Sequence, residues 1–254
     1  MVSLAGLAGM ATPRWWYQTG DWGTESREAA AVREAIESAI GSLNIALDFR
    51  CIHNNLDEEF RIQINAFNLM PVASCFKSWA GLYYLLNTPP DIQDVSQYSP
   101  VYQMIVNSDN IQTGVVLADV AQRVSGRGNA LEKFNDFLMQ RISMANGLHT
   151  WNWPDSPTAG LSDPRFAPSA DRRVWFNGQG YEIDNAFWAS DLARGYDFLL
   201  RGETFTKSQE LKTALQATRA LLSVQATNYR SPIERAYPDG GYMGKDGILP
   251  GADT

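Results

Sequence analysis

Residues 184–222 constrain the fold most, because they encode two amphipathic helices joined by a short loop. Large apolar residues recur at spacings of three and four over 187–200, which is the period of one buried helix face. Asp184 precedes this pattern as a helix cap. Gly202 tolerates the left-handed turn that ends many helices, and residues 206–209 match a capping box for the second helix. The stretch therefore predicts a helical hairpin with antiparallel packing.

Further amphipathic segments surround this hairpin. Residues 60–66 alternate between apolar and polar side chains, which predicts a short strand. We expect a mainly α protein in which antiparallel helical hairpins form one globular domain, with a minor extended or strand element and long loops. The other helices are predicted at 24–47, 72–86, 100–106, 113–124 and 131–145, which gives about seven helices in all.

Glycine and proline divide the chain into three regions. The first 23 residues form an N-terminal arm, residues 24–227 a helical domain, and residues 228–254 an extended C-terminal tail. Within the domain, residues 147–180 form a long loop, since four prolines argue against a helix there. Loops of this length in compact domains are functional or contact partners. The loop is therefore the predicted location of a site.

The composition favours a surface that meets other proteins. Of 254 residues, 44% are apolar, which suffices for a large core. Charged residues make up only 19%, and arginine outnumbers lysine by 16 to 5. Arginine is the more weakly hydrated cation and is favoured in interfaces. The net charge of −7 argues against general nucleic-acid binding, although a local RNA contact through arginine stays open. We expect no membrane segment, and an intracellular or virion location.

Aromatic residues near both ends predict subunit contacts, because they lie outside any helical period and need a surface to cover them. We therefore expect a homo-oligomer or large assembly, and a structural subunit of the coat or capsid type that uses the arm, loop and tail for contacts. The predicted interface residues are Trp15, Trp16, Trp22, Tyr237 and Tyr242.

Carboxylates beside aromatic residues support an alternative, a carbohydrate-active enzyme such as a glycoside hydrolase or lyase. Sugar rings stack on aromatic faces, and paired carboxylates act as acid and base on a glycosidic bond. The sequence is compatible both with an enzyme and with a non-enzymatic subunit. The candidate catalytic residues are Asp155, Glu182, Asp184 and Asp239, and the candidate binding residues are Trp151, Trp153, Trp175, Arg172 and Arg173.

Other chemistries lack their usual patterns. His53 and His149 are the only histidines, and their surroundings do not match a zinc-ligand spacing. The sequence has no Gly-x-Ser-x-Gly elbow, no complete dinucleotide fingerprint and no phosphate loop. We expect neither a metal nor a cofactor.

Overall fold

The structure is a computed structural model that describes residues 27–43, 45–51, 60–167, 173–176, 179–182, 185–224 and 243–245. The described residues form seven α-helices and four two-stranded sheets. The predicted mainly helical class with minor strands is therefore confirmed. The arm at 1–23 and most of the tail lie outside the described residues, so the predicted domain boundaries stay a prediction.

The elements have the following bounds. In chain order they are α1 (Arg27–Ile40), β1 (Leu47–Cys51), β2 (Phe60–Ile64), β3 (Leu69–Pro71), α2 (Lys77–Asn87), α3 (Pro100–Val106), α4 (Asn110–Arg123), α5 (Ala130–Phe137), β4 (Thr150–Trp151), β5 (Leu161–Ser162), β6 (Arg173–Phe176), β7 (Gln179–Glu182), β8 (Ala186–Trp188), α6 (Ala189–Phe205) and α7 (Gln209–Ser223).

The chain divides into two compact units. The first comprises residues 1–45 and 49–63 and contains α1, while β1 and β2 pair with each other. The predicted strand at 60–66 is found as β2, which ends at Ile64, whereas the predicted helix at 24–47 is too long. It ends at Ile40 because Gly41 adopts a left-handed φ of +55°, and Leu43 beyond it is 68% exposed.

The second unit, residues 46–48 and 64–254, is built around α2. Every residue from Lys77 to Leu85 is buried, and a helix that is buried all round lies inside a core. Helices α3, α4, α5 and α7 pack against it. The aromatic rings of Phe76, Tyr83, Phe134 and Phe137 form a connected cluster between α2 and α5. Helix α2 is therefore the element on which the others pack.

Side-chain caps fix where the surrounding helices begin. Ser99 and Asp109 accept hydrogen bonds from the first turns of α3 and α4. Asn129 and Glu132 form a capping box at the start of α5. Residues 138–142 continue α5 as a π-helical turn. These caps set the register of the helices around α2.

The start of α6 differs from the prediction. Residues 186–188 form β8, which pairs antiparallel with β3 and keeps this backbone extended. The helix therefore begins at Ala189 rather than next to Asp184, and Asp184 itself lies outside the described residues. At the next junction Ser208 caps α7, while Thr206 closes α6. Tertiary pairing has overridden the local helical period.

The described part of the long loop contains two short antiparallel pairs, β4 with β5 and β6 with β7. Asp163 holds the loop against α5, since its fully buried carboxylate accepts bonds from Arg165 and Asn135. Burial favours the neutral acid, but these bonds hold the pKa of Asp163 below its usual value. Among the described helices, none is long and apolar enough to cross a membrane.

Two glycines of α6 provide a matched test of packing. A Cβ on Gly195 would lie 2.4 Å from ring atoms of Trp79 and from the end of Met144, whereas a Cβ on Gly202 would approach Leu215 at 3.1 Å. We expect Gly195→Ala to lower the free energy of unfolding by about 1–3 kcal/mol through overpacking. Gly202→Ala should be neutral or stabilising by up to about 1 kcal/mol through helix propensity. Urea denaturation measures both, and equal effects would contradict the close approach of α6 to α2.

Candidate functional site

A serine and a lysine share one side of the turn that leads into α2. The amide of Lys77 donates to the carbonyl of Ser74 at 3.1 Å, which closes a tight i,i+3 turn. Side chains three residues apart eclipse one another in such a turn. Ala73, just before the serine, adopts a left-handed φ of +43°, and backbone strain of this kind is concentrated at functional sites. The local fold thus places Ser74 one turn before Lys77 in the chain.

The ammonium group of Lys77 is fully buried and satisfied by neutral acceptors. Its Nζ lies 2.7 Å from the carbonyl oxygen of Ser108 and 2.5 Å from Oδ1 of Asn110. The hydroxyl of Ser108 is 3.4 Å from the same nitrogen. Three contacts match the three donors of an ammonium group. Lys77 therefore connects the start of α2 with the start of α4.

The segment between α3 and α4 is shaped to supply these acceptors. Ser108 adopts a left-handed φ of +59°, which is uncommon for a residue other than glycine. Asp109 follows as the cap of α4 and accepts the amide of Gln112 at 2.9 Å. Asn110 is the first residue of that helix. The cap fixes the backbone, and the left-handed residue directs both oxygens of Ser108 to Lys77.

A second lysine lies close enough to act on the first. Lys245 is only 6% exposed, and its backbone amide donates to the hydroxyl of Tyr196 at 2.9 Å. Burial, and to a smaller extent the positive charge of Lys245, lower the pKa of Lys77 to about 7, while the carboxylate of Asp109 opposes this change. Lys77 is therefore neutral in a large fraction of molecules at neutral pH.

These groups have the properties of a nucleophile and its base. A serine hydroxyl becomes reactive when a nearby base accepts its proton, and a base works best when its pKa is near the ambient pH. Within the described residues, neither the amide nor the hydroxyl of Ser74 donates a hydrogen bond. The amide lies at the positive end of α2, where a developing negative charge is stabilised. The arrangement is suited to attack on a carbonyl group.

The structure places some of the sequence-predicted residues elsewhere. Trp151 is 93% buried and its indole nitrogen donates to Ser156 at 3.1 Å, while its ring packs on Phe76. Trp153 is 43% exposed, and Asp155 occupies a turn with a φ of +65°. None of the three belongs to the Ser74–Lys77 cluster. Their roles in binding or catalysis stay predictions.

The remaining predicted residues are not tested. Arg173 and Trp175 belong to β6 and Glu182 to β7, but only the backbone of these strands is described. The others lie outside the described residues, namely Trp15, Trp16, Trp22, Arg172, Asp184, Tyr237, Asp239 and Tyr242. Among the described side chains, no group of three or more His, Cys, Asp or Glu residues is placed to hold a metal ion.

The residues of the site fall in short sequence motifs, which helical periodicity does not reveal. The three motifs are Ser-x-x-Lys at 74–77, Ser-Asp-Asn at 108–110 and Lys-Asp-Gly at 245–247. Reading residues 72–86 only for helical spacing treats Lys77 as a surface position, although Phe76 and Trp79 on either side are buried. A lysine within an otherwise apolar helix is the sequence feature that could have indicated the site.

Comparison with solved structures identifies the fold. The chain is similar to the β-lactamase from Streptosporangium roseum, with a TM-score of 0.51 and 12% identity over 79% of this chain and 72% of that one. It is likewise similar to the β-lactamase from Streptomyces albus G, with a TM-score of 0.51 and 14% identity over 87% of this chain and 80% of that one. No family model and no curated protein matches the sequence. The chain therefore has a β-lactamase-like fold.

This likeness corrects one expectation from the sequence. The coat- or capsid-like, structural-protein character is wrong, because the fold is that of β-lactamases and not of capsid proteins. Low charge and scarce lysine describe a surface, and they do not distinguish an assembly subunit from an enzyme. The expected use of the arm, loop and tail for subunit contacts, the expected oligomer and the carbohydrate-active alternative are not tested by the likeness and stay predictions.

The buried lysine gives a prediction for stability. Between pH 7 and pH 10.5 the unfolded chain binds the Lys77 proton more tightly than the folded protein, so this group makes wild-type stability rise with pH. Replacing Lys77 with Met removes the cost of burying the charge. We expect Lys77→Met to be more stable than wild type by about 2–4 kcal/mol at pH 6, and by much less at pH 10.

Denaturant unfolding at several pH values measures this difference. Lys207→Met, at an exposed position between α6 and α7, is the matched control and should show no such gain. A Lys77→Met protein that is less stable than wild type at pH 6 would show that the hydrogen bonds of the ammonium group outweigh its burial.

Proposed function

We propose that the protein is a serine enzyme that reacts with β-lactams, in which Ser74 forms a covalent acyl-enzyme. The observation that carries the proposal is the contact of the buried Lys77 with Ser108 and Asn110, one turn from Ser74 and close to Lys245. The β-lactamase-like fold is consistent with it.

The three motifs support this class of chemistry. Ser-x-x-Lys, Ser-Asp-Asn and Lys-Thr-Gly are the signature of class A β-lactamases and penicillin-binding proteins, with the first serine as nucleophile. The chain has the first two in full at 74–77 and 108–110. The third reads Lys245-Asp-Gly, so its lysine and glycine match while its middle residue differs. The structure independently brings Ser108 and Lys245 to Lys77, which supports a functional origin for the spacing.

In the proposed reaction, neutral Lys77 accepts the proton of the Ser74 hydroxyl as its oxygen attacks the lactam carbonyl. The amide of Ser74, at the start of α2, donates to the negative oxygen that forms. The C–O bond to serine then forms completely and the C–N bond of the ring breaks. Both fragments stay attached to the enzyme, since the ring is opened and no group leaves.

The ring nitrogen must gain a proton as its bond to carbon breaks. The hydroxyl of Ser108, 3.4 Å from Lys77 Nζ, is placed to pass the proton from Lys77 to that nitrogen. The positive charge of Lys245 suits the carboxylate that β-lactams carry next to the nitrogen. Ser74, Lys77, Ser108 and Lys245 therefore each have a role in the proposed acylation.

The proposal concerns formation of the acyl-enzyme rather than its hydrolysis. In class A enzymes a glutamate acts through a water molecule in deacylation. Among the glutamates of this unit whose side chains are described, Glu132 caps α5 and Glu203 pairs with Arg219, while Glu210 is exposed. We therefore assign no residue to the hydrolytic step.

Covalent labelling tests the proposal. We expect a fluorescent penicillin to label the wild-type protein, with a mass increase equal to the whole penicillin, because ring opening releases nothing. Ser74→Ala should abolish labelling, and Ser108→Ala should slow it by about 100-fold or more through loss of proton transfer. Labelling should weaken below about pH 7 as Lys77 becomes charged.

Ser223→Ala, at the end of α7, is the matched control and should label as wild type does. Intact-mass spectrometry and peptide mapping locate the adduct. An adduct on any residue other than Ser74, or unchanged labelling of Ser74→Ala, would refute the assignment of the nucleophile. If no penicillin labels the wild-type protein at any pH between 6 and 9, the proposed class of enzyme is refuted.

A further inference from the structure

Tyr196 connects the three elements that meet beside the site. Its hydroxyl accepts the backbone amide of Lys245 at 2.9 Å and lies 3.1 Å from the hydroxyl of Ser78. Ser78 directly follows Lys77 on α2, while Tyr196 belongs to α6. One phenol group thus links the backbone of one lysine to the neighbour of the other.

The close approach of α6 to α2 makes this link feasible. Gly195 lies against the ring of Trp79, where a Cβ would come within 2.4 Å of two ring atoms. The rings of Trp79 and Tyr196 meet edge to face, with centroids 5.5 Å apart. The ring of Tyr196 is thereby fixed by packing, and its hydroxyl is directed by two hydrogen bonds.

We propose that Tyr196 is a positioning residue that holds Lys245 against Lys77, so that the two positive groups stay close. The inference rests on the proposed function for its catalytic meaning, because Lys77 is the base in that reaction. Its structural part, that the position of Lys245 affects the pKa of Lys77, can be measured without any substrate.

The charges around Lys77 determine whether its pKa rises or falls when Lys245 moves away. Lys245, in segment 243–245, disfavours the charged form of Lys77, and Asp109 at the start of α4 favours it. The groups of Ser108 and Asn110 that contact Lys77 carry no charge. Among the described residues of α3, α5, α6 and α7, no other charged group changes the pKa of Lys77. When Lys245 is released, the pKa of Lys77 rises toward its ordinary value.

Titration of Lys77 by NMR tests the inference directly. The chain has five lysines, so lysine labelled with ¹³C at the ε carbon gives a simple spectrum, and Lys77→Met assigns the signal. We expect Tyr196→Phe, which keeps the ring and loses the hydroxyl, to raise the Lys77 midpoint by about one pH unit. Tyr83→Phe is the matched control, because the Tyr83 hydroxyl is buried without a hydrogen-bond partner, and its midpoint should equal that of wild type.

The rate of labelling by a fluorescent penicillin provides the second measurement. If Ser74 is the nucleophile, the acid limb of the pH–rate profile should move up in Tyr196→Phe by the same amount as the NMR midpoint. If Tyr196→Phe raises the Lys77 midpoint but no penicillin labels the protein, the role of Tyr196 is supported and the proposed function is refuted. The role of Tyr196 would be refuted if penicillin labels Tyr196→Phe normally and both its Lys77 midpoint and the acid limb of its pH–rate profile equal those of wild type.

A second variant covers the case in which Tyr196→Phe does not fold. Ser78→Ala removes one of the two partners of the phenol and leaves its bond to Lys245. We expect a Lys77 midpoint between those of wild type and Tyr196→Phe, and a threefold or smaller change in labelling rate at pH 7. A midpoint below that of wild type would overturn the inference, since it would require Lys245 to approach Lys77 when the link is weakened.

Discussion

The burial of the Lys77 ammonium group is the constraint on which the rest of the second unit depends. An unpaired charge inside a protein is costly, and hydrogen-bond acceptors must replace the lost water. The acceptors here come from the segment between α3 and α4, through Ser108 and Asn110. This requirement explains the left-handed backbone at Ser108 and the cap at Asp109, because both direct oxygen atoms to a point inside the core.

The same lysine ties the stability of the core to the chemistry of the site. Helix α2 is the central element, and a core helix is most stable when all its positions are apolar. The lysine at position 77 departs from that rule, and the left-handed backbone of Ala73, just before the helix, is a second local cost. Functional sites commonly retain such local costs, and stabilising replacements there remove activity. The departures are therefore informative about where the function lies.

Sequence reasoning could predict the local features of this protein but not the site. The helical period predicts α2 and α7, since neighbouring residues determine this feature, whereas the capping box predicted at 206–209 is replaced by a cap at Ser208. The start of α6 depends on the pairing of β8 with β3, which lies more than 100 residues away. The site combines Ser74, Lys77, Ser108 and Lys245, so its geometry exists only once α2, α4 and segment 243–245 have packed. Its motifs were readable in the sequence, but helical spacing alone does not distinguish them from core.

The acceptors of Lys77 show how a buried lysine can be satisfied without being held in its charged form. A carboxylate in contact with the ammonium group would favour the proton and raise the pKa. The groups in contact are instead a carbonyl, an amide oxygen and a hydroxyl, which bind the N–H groups but carry no charge. The nearby carboxylate, Asp109, instead accepts the amide of Gln112 as the cap of α4. Because no carboxylate among the described residues contacts the ammonium group, burial can hold the pKa of Lys77 near 7 while neutral acceptors keep its position fixed.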